Sequence, residues 1–91
     1  MSSRELIEIK QHVPLRVLEQ WIKHHDGPAG VLQRLLFIRL RYKGESVASA
    51  AESVSVTTQT GYNWQEWWNV DGLAGLMLGM PGAVLLWYWL Q

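Results

Sequence analysis

Thr57, Thr58, Gln59, Tyr62 and Asn63 lie within one short stretch of the chain and share one kind of chemistry. Hydroxyls and carboxamides donate and accept hydrogen bonds without carrying charge. Such a set suits matching a partner's polar edge rather than moving a proton or cleaving a bond. On a helix Thr58, Gln59, Tyr62 and Asn63 would lie on the outer side near its N-terminal end. Gly61, Trp64 and Trp68, spaced by three and four, would face inward. Other chemistries find little support. Glu5 and Glu8 sit on an open helix face, and no phosphate-cradling glycine loop or Ser-His-Asp set in a supporting motif is present. His24, His25 and Asp26 are adjacent, but neighbouring side chains on a helix end diverge and no third ligand has suitable spacing. They read as groups that finish a helix. No catalytic residue, metal, cofactor or small-molecule substrate is expected.

The elements that must position the polar set follow from hydrophobic spacing. SSRELIEIKQHV opens with a capping box from Ser2 to Glu5 and places Leu6, Ile9 and Val13 at helical intervals, which predicts a short first helix. Pro14 suits the first turn of a second, with Leu15, Leu18, Trp21 and Ile22 as its stripe, and the Asp26 to Gly30 turn ends it. In VLQRLLFIRLRYK, residues Leu32, Leu35, Leu36 and Leu40 share a face widened by Val31, Ile38 and Tyr42. Arg34, Arg41 and Lys43 can reach water, and Gly44 stops the helix. Ser46 then caps a short helix that turns Val47, Ala50, Ala51 and Val54 inward. Ser55 to Thr57 must turn, and Thr57 can cap the next helix. Close approach to Ala51 is the expected reason for Gly61. Helix, tight turn and a second helix with a polar outer face make a helix-turn-helix pattern over residues 45–69.

The chain has 91 residues, room for one small core. At 48% apolar and 18% charged it has the material to fold. Its zero net charge hides an asymmetry. Residues 1–44 hold all eight Lys and Arg against four acids, a balance of +4, and residues 45–91 hold four acids and no base, −4. Attraction to a polyanion must therefore come from the first half.

The stretch RLLFIRLRYKGESVASAAESVSVTTQTGYNWQEWWNVDGLAGL resembles the N-terminal helix-turn-helix of insertion-sequence transposases of the mariner-like superfamily. The resemblance rests on the Arg-Leu helix ending at Gly44, Ser46-Val47, Ala51, the Val54 to Thr57 turn, the Thr60 to Trp64 block, Asp71-Gly72-Leu73 and Gly75-Leu76. It covers about Leu32 to Leu76 well, the segments before it weakly, and nothing beyond. It implies an all-α, homeodomain-like bundle at residues 1–76 with two additional N-terminal helices. It also implies a double-stranded DNA partner, with the helix from Thr58 in the major groove. There Thr58, Gln59, Tyr62 and Asn63 would meet the bases, with Thr57 beside them in the DNA-binding set, while some of Arg34, Arg39, Arg41 and Lys43 meet phosphates. Relatives often carry basic residues around Gln65 to Trp67 and a Gly-Arg-Pro type linker after the Gly-Leu pair; here stand Gln65, Glu66, Trp67 and MLGMPGAVLLWYWLQ. The family's catalytic Asp-Asp-Glu domain is missing. The expectation is a transposase fragment or remnant without transposition activity, with a tail from a shifted frame. The alternative is a protein-interaction module that has lost its DNA surface.

Residues 77–91 form an apolar tail. The uncharged stretch from Leu73 to Leu90 touches the lower length of a membrane span, but Gly75, Gly79, Pro81 and Gly82 interrupt it and no Lys or Arg flanks it. Membrane insertion is not expected. The segment Val84–Leu90 is instead expected to pack on the domain or to pair two copies as a homodimer. The absence of cysteine fits a reducing cytoplasm, and MSSRELIEIKQH has no uninterrupted apolar stretch of the secretory kind.

Overall fold

The computed structural model describes residues 8–27 and 29–78. All regular structure among them is helical: α1 (Leu15–Lys23), α2 (Ala29–Tyr42), α3 (Val47–Ser53) and α4 (Thr58–Leu78). The all-α bundle expected from the sequence is the fold found.

Helix α2 is the hub, packed against all three of the others. A helix covered on several sides should carry apolar residues on more than one face, and α2 does. Val31, Leu35 and Ile38 are buried at the spacing of one face, and Phe37 is buried on another, where its ring meets the Trp64 ring edge-on at 5.7 Å. The face expected from Leu32, Leu35, Leu36 and Leu40 is thus corrected. Leu35 is buried, the other three are only half-buried, and Phe37 takes the central place. Phe37 also answers the question of Gly61. A Cβ there would lie 3.0 Å from Phe37 and 3.1 Å from Val47, so the nearest side chains that favour the glycine are those two.

The ends of α2 and α3 share one device. Beyond α2, the amide of Glu45 donates to Leu40 and that of Gly44 to Arg41. Beyond α3, the amide of Val56 donates to Ala51 and that of Ser55 to Glu52. This pair of reversed bonds needs a left-handed residue at the turn. Gly44 fills the first position at φ 93°; Ser55 fills the second at φ 63°, where a side chain costs about 1 kcal/mol. Ser46 caps α3 by accepting from Ser49, and Thr57 caps α4 by accepting from Thr60 at 3.2 Å.

No helix precedes Pro14 among the described residues. Glu8 to Val13 lie in an irregular segment, so the first predicted helix is corrected there, while its capping box falls on residues outside the described ones. The segment is tied instead to α4 by side chains that bond its backbone. Asn69 accepts from the Lys10 amide at 2.8 Å and donates to the Glu8 carbonyl at 3.3 Å; Trp68 donates its indole N–H to the Lys10 carbonyl at 2.6 Å. Tyr42 donates its hydroxyl to the Val13 carbonyl at 3.0 Å. An interior that offers its own hydrogen-bond partners in this way removes the chain's need for a helical turn. Of the two additional N-terminal helices expected before the Arg-Leu helix, only α1 is found among the described residues.

Helix α4 breaks at Gly72, where φ is 61° and ψ −139°. Beyond it residues 73–78 fold back, close enough that a Cβ on Gly75 would collide with the Trp67 carbonyl oxygen. Leu76 is fully buried and its carbonyl accepts from Arg34 at 2.9 Å. The Gly72 conformation is one that L side chains rarely adopt, so Gly72→Ala is expected to cost about 1–3 kcal/mol. A urea midpoint should fall accordingly, while an unchanged midpoint would show that the break tolerates a Cβ. The Val84–Leu90 segment, on which dimerisation was expected, lies outside the described residues. No helix among the described residues is long and apolar enough to cross a membrane.

Candidate nucleic-acid interface

The first turns of α4 present the polar set as the spacing requires. Gly61, Trp64 and Trp68 are buried. Thr57, Thr58 and Gln59 are exposed, and Tyr62 and Asn63 are half-buried at the surface. Thr57 has a structural duty, its hydroxyl lying 2.9 Å from that of Thr60 as well as capping the helix. Gln59 Nε2 donates to Asn63 Oδ1 at 3.2 Å, so the two carboxamides one helical turn apart orient each other. Rigid backing and mutually oriented amides are what a reading surface requires, since each loose rotamer must be ordered when the partner arrives.

The four cations expected on the phosphate side divide. Arg34 is half-buried, with its guanidinium carbon 5.9 Å from the Trp64 ring centroid and 5.5 Å from that of Trp67 while it donates to Leu76. It clamps the folded-back end of α4 while staying partly exposed, a packing role that the sequence did not show. Arg41 donates from Nε to Gln65 Oε1 at 2.8 Å and from a terminal nitrogen to the Glu45 carbonyl. Burial lowers its pKa below the ordinary guanidinium value, and the nearby Tyr62 works the other way. An arginine still keeps its charge across the physiological range. Arg39 is half-buried on α2, and Lys43 is half-exposed, 3.8 Å from Glu19 in a surface ion pair. Such a pair is worth only about 0–1 kcal/mol and yields readily to a phosphate.

A cap at Ser46, a reversed-bond turn through Ser55, a cap at Thr57 and a buried Gly61–Trp64–Trp68 face describe a tight two-helix unit held on a third helix. A model of the homeodomain-like domain family matches residues 28–76. The chain belongs to that family. The homeodomain-like domain takes in α2, α3 and nearly all of α4, while α1 and the Glu8–Val13 segment lie before it. No curated protein and no solved structure matches the chain.

Around this homeodomain-like domain sit residues whose roles the sequence did not disclose. Gln65 is 4% exposed and holds Arg41, although its type and place in a polar run suggest the surface. Spacing carries the usable signal: Gln65 stands four residues after Gly61 and three before Trp68, both inward, so it shares their side of the helix. His12 Nε2 hydrogen-bonds to the Trp68 carbonyl at 2.8 Å, and its ring meets the Trp68 ring edge-on at 5.4 Å. No pattern within residues 8–13 announces that pairing, because its partner is 56 positions away.

Proposed function

We propose that the protein binds double-stranded DNA through its homeodomain-like domain, with the first turns of α4 in the major groove. The observation that carries this is the outward Gln59–Asn63 pair on a helix whose opposite face is fixed by buried Trp64 and Trp68. Asparagine and glutamine match the donor and acceptor pair of adenine in that groove, and a threonine can meet a thymine methyl or a phosphate. Thr58 and Tyr62 flank the pair, and Thr57 is placed for a phosphate at the helix start. Arg39 and Lys43 supply the remaining phosphate contacts, with Arg34 and Arg41 retained for packing. The reading assigns binding, not catalysis, to these residues. It further takes the domain to be of transposase type and to act in a reducing cytoplasm, which the absence of cysteine fits.

Titration of a duplex of random sequence at two salt concentrations tests the proposal. Affinity is expected to fall steeply with salt, and Arg39→Ala and Lys43→Ala are each expected to lower the log–log slope by roughly 0.9 for every phosphate the native side chain neutralises. No binding at low salt would leave the second reading, a protein-interaction module on the same scaffold. The acidic balance of residues 45–91 is the observation in its favour.

A further inference from the structure

The sequence holds two Asp-Gly pairs, Asp26–Gly27 and Asp71–Gly72, and the fold places them in opposite settings. A glycine amide after an aspartate is the least hindered nitrogen its carboxyl can meet, since no Cβ stands in the way. Closing a five-membered ring between the two requires the backbone to bring the aspartate Cβ into the plane of the following peptide, which a helical ψ does not do. Asp71 stands inside α4, where Gly72 alone departs from helical geometry, and Gly72 is buried. Asp26 and Gly27 are exposed and belong to neither α1 nor α2, whose connection they form part of. A Cβ built on Gly27 would meet Cε1 of His25 at 3.2 Å and its Nε2 at 3.5 Å, so the imidazole edge lies over the glycine. With about 2.5 Å between the Cβ and N positions of one residue, Nε2 is at most about 6 Å from the Gly27 nitrogen, the span of one bridging water. An imidazole also flanks Gly72, that of His12 at 3.6 Å, so the two pairs differ in backbone and exposure rather than in the ring beside them.

We propose that Asp26–Gly27 is a self-modification site, at which the aspartate is converted to isoaspartate with His25 as the base. The Gly27 amide gives its proton to Nε2 of His25, directly or through one water, and its nitrogen attacks Cγ of Asp26. A C–N bond forms and a succinimide remains. One carboxyl oxygen leaves as water, carrying the proton relayed by His25 and one taken from solvent. Water then adds to either ring carbonyl. Opening at Cγ restores aspartate, whereas opening at the main-chain carbonyl breaks the original peptide C–N bond and leaves the chain running through Cβ. The water lost and the solvent proton consumed in the first stage are returned in the second, so no oxidant or other co-reactant is needed. Charge is unchanged, and the connection from α1 to α2 gains one backbone atom.

The full chain kept at neutral pH in H₂¹⁸O tests this, because each ring opening writes one ¹⁸O into the carboxyl it makes. Peptide mapping by mass spectrometry with electron-transfer fragmentation locates the label and separates isoaspartate from aspartate. Label is expected at Asp26 and not at Asp71. In concentrated guanidinium both pairs are expected to take it up, since the fold makes the selection. His25→Ala is expected to slow uptake about tenfold, short of the roughly hundredfold contributed by an evolved base, and free imidazole is expected to restore it. Gly27→Ala, whose Cβ would press on the His25 ring at 3.2 Å, is expected to slow it as well. Amide dispersion by NMR checks that each variant stays folded. No label at Asp26, or label at both pairs alike in the folded chain, would overturn the proposal. Uptake unchanged by His25→Ala would overturn it too, by removing its base.

Discussion

Trp68→Ala is expected to leave the chain without a cooperative thermal transition. The side chain is fully buried, the largest such in the core, and its ring meets those of His12 at 5.4 Å and Tyr42 at 6.2 Å, both edge-on. Removing a buried tryptophan costs about 3–5 kcal/mol from the forfeited transfer energy and the cavity left behind. The loss does not stop there. Its indole N–H is the donor to the Lys10 carbonyl, and an acceptor stranded in a partly closed site costs about 1 kcal/mol or more. A single core of this size supplies roughly 3–5 kcal/mol in total. The two figures meet, so the expected result is a broad, non-cooperative melt by circular dichroism. Trp67→Ala is the comparison: that ring is half-buried and its neighbour Arg34 can re-solvate, so a sharp transition at a lower midpoint should remain. A Trp68→Ala melt as sharp as the native one, with a midpoint within a few degrees, would show that the tryptophan is not the keystone of the packing.

The same residue shows what the sequence could and could not disclose. That Trp68 faces inward is legible from its spacing with Trp64 and Gly61, as are the caps at Ser46 and Thr57 and the stop at Gly44, because each is fixed by neighbours within a few positions. What Trp68 touches is not legible. Its partners Lys10 and His12 come from a segment whose Leu6, Ile9 and Val13 pattern reads as a helix, and the hydrogen bonds offered by Tyr42, Trp68 and Asn69 favour the irregular path of its described residues. Phe37 escaped for a related reason. A helix covered on several sides has no single stripe, so periodicity picks one apolar face and misses the others. For the candidate site, the spacing of Thr58, Gln59, Tyr62 and Asn63 disclosed which side faces outward. Which of the cations also serve packing was not legible. Arg34 and Arg41 look like solvated charges in the bare sequence, and only packing against Trp64, Trp67 and Gln65 shows that they hold the domain together.

That division between holding and reading makes the second large effect separable from the first. Asn63→Ala is expected to weaken binding to the best duplex selected from a random pool about tenfold to a hundredfold, corresponding to the roughly 1–3 kcal/mol of a good bidentate base contact. Binding to unrelated duplex should hardly change, because that binding is carried by phosphates. Lys43→Ala should do the reverse, weakening every duplex alike and flattening the salt dependence. Gln59→Ala adds a further test, since Gln59 donates to the very oxygen through which Asn63 would accept from an adenine amino group. A carboxamide oxygen has two acceptor positions, so the internal bond leaves one for the base while fixing the plane of the amide. If that fixing matters, the two substitutions will not add: the double variant should be weakened less than the product of the single effects. Strict additivity would make the two amides independent readers, and equal losses on selected and unrelated duplexes would remove Asn63 from base recognition altogether. Either result would leave the fold untouched, since both side chains lie at the surface of α4 while Gly61, Trp64 and Trp68 hold its inner face.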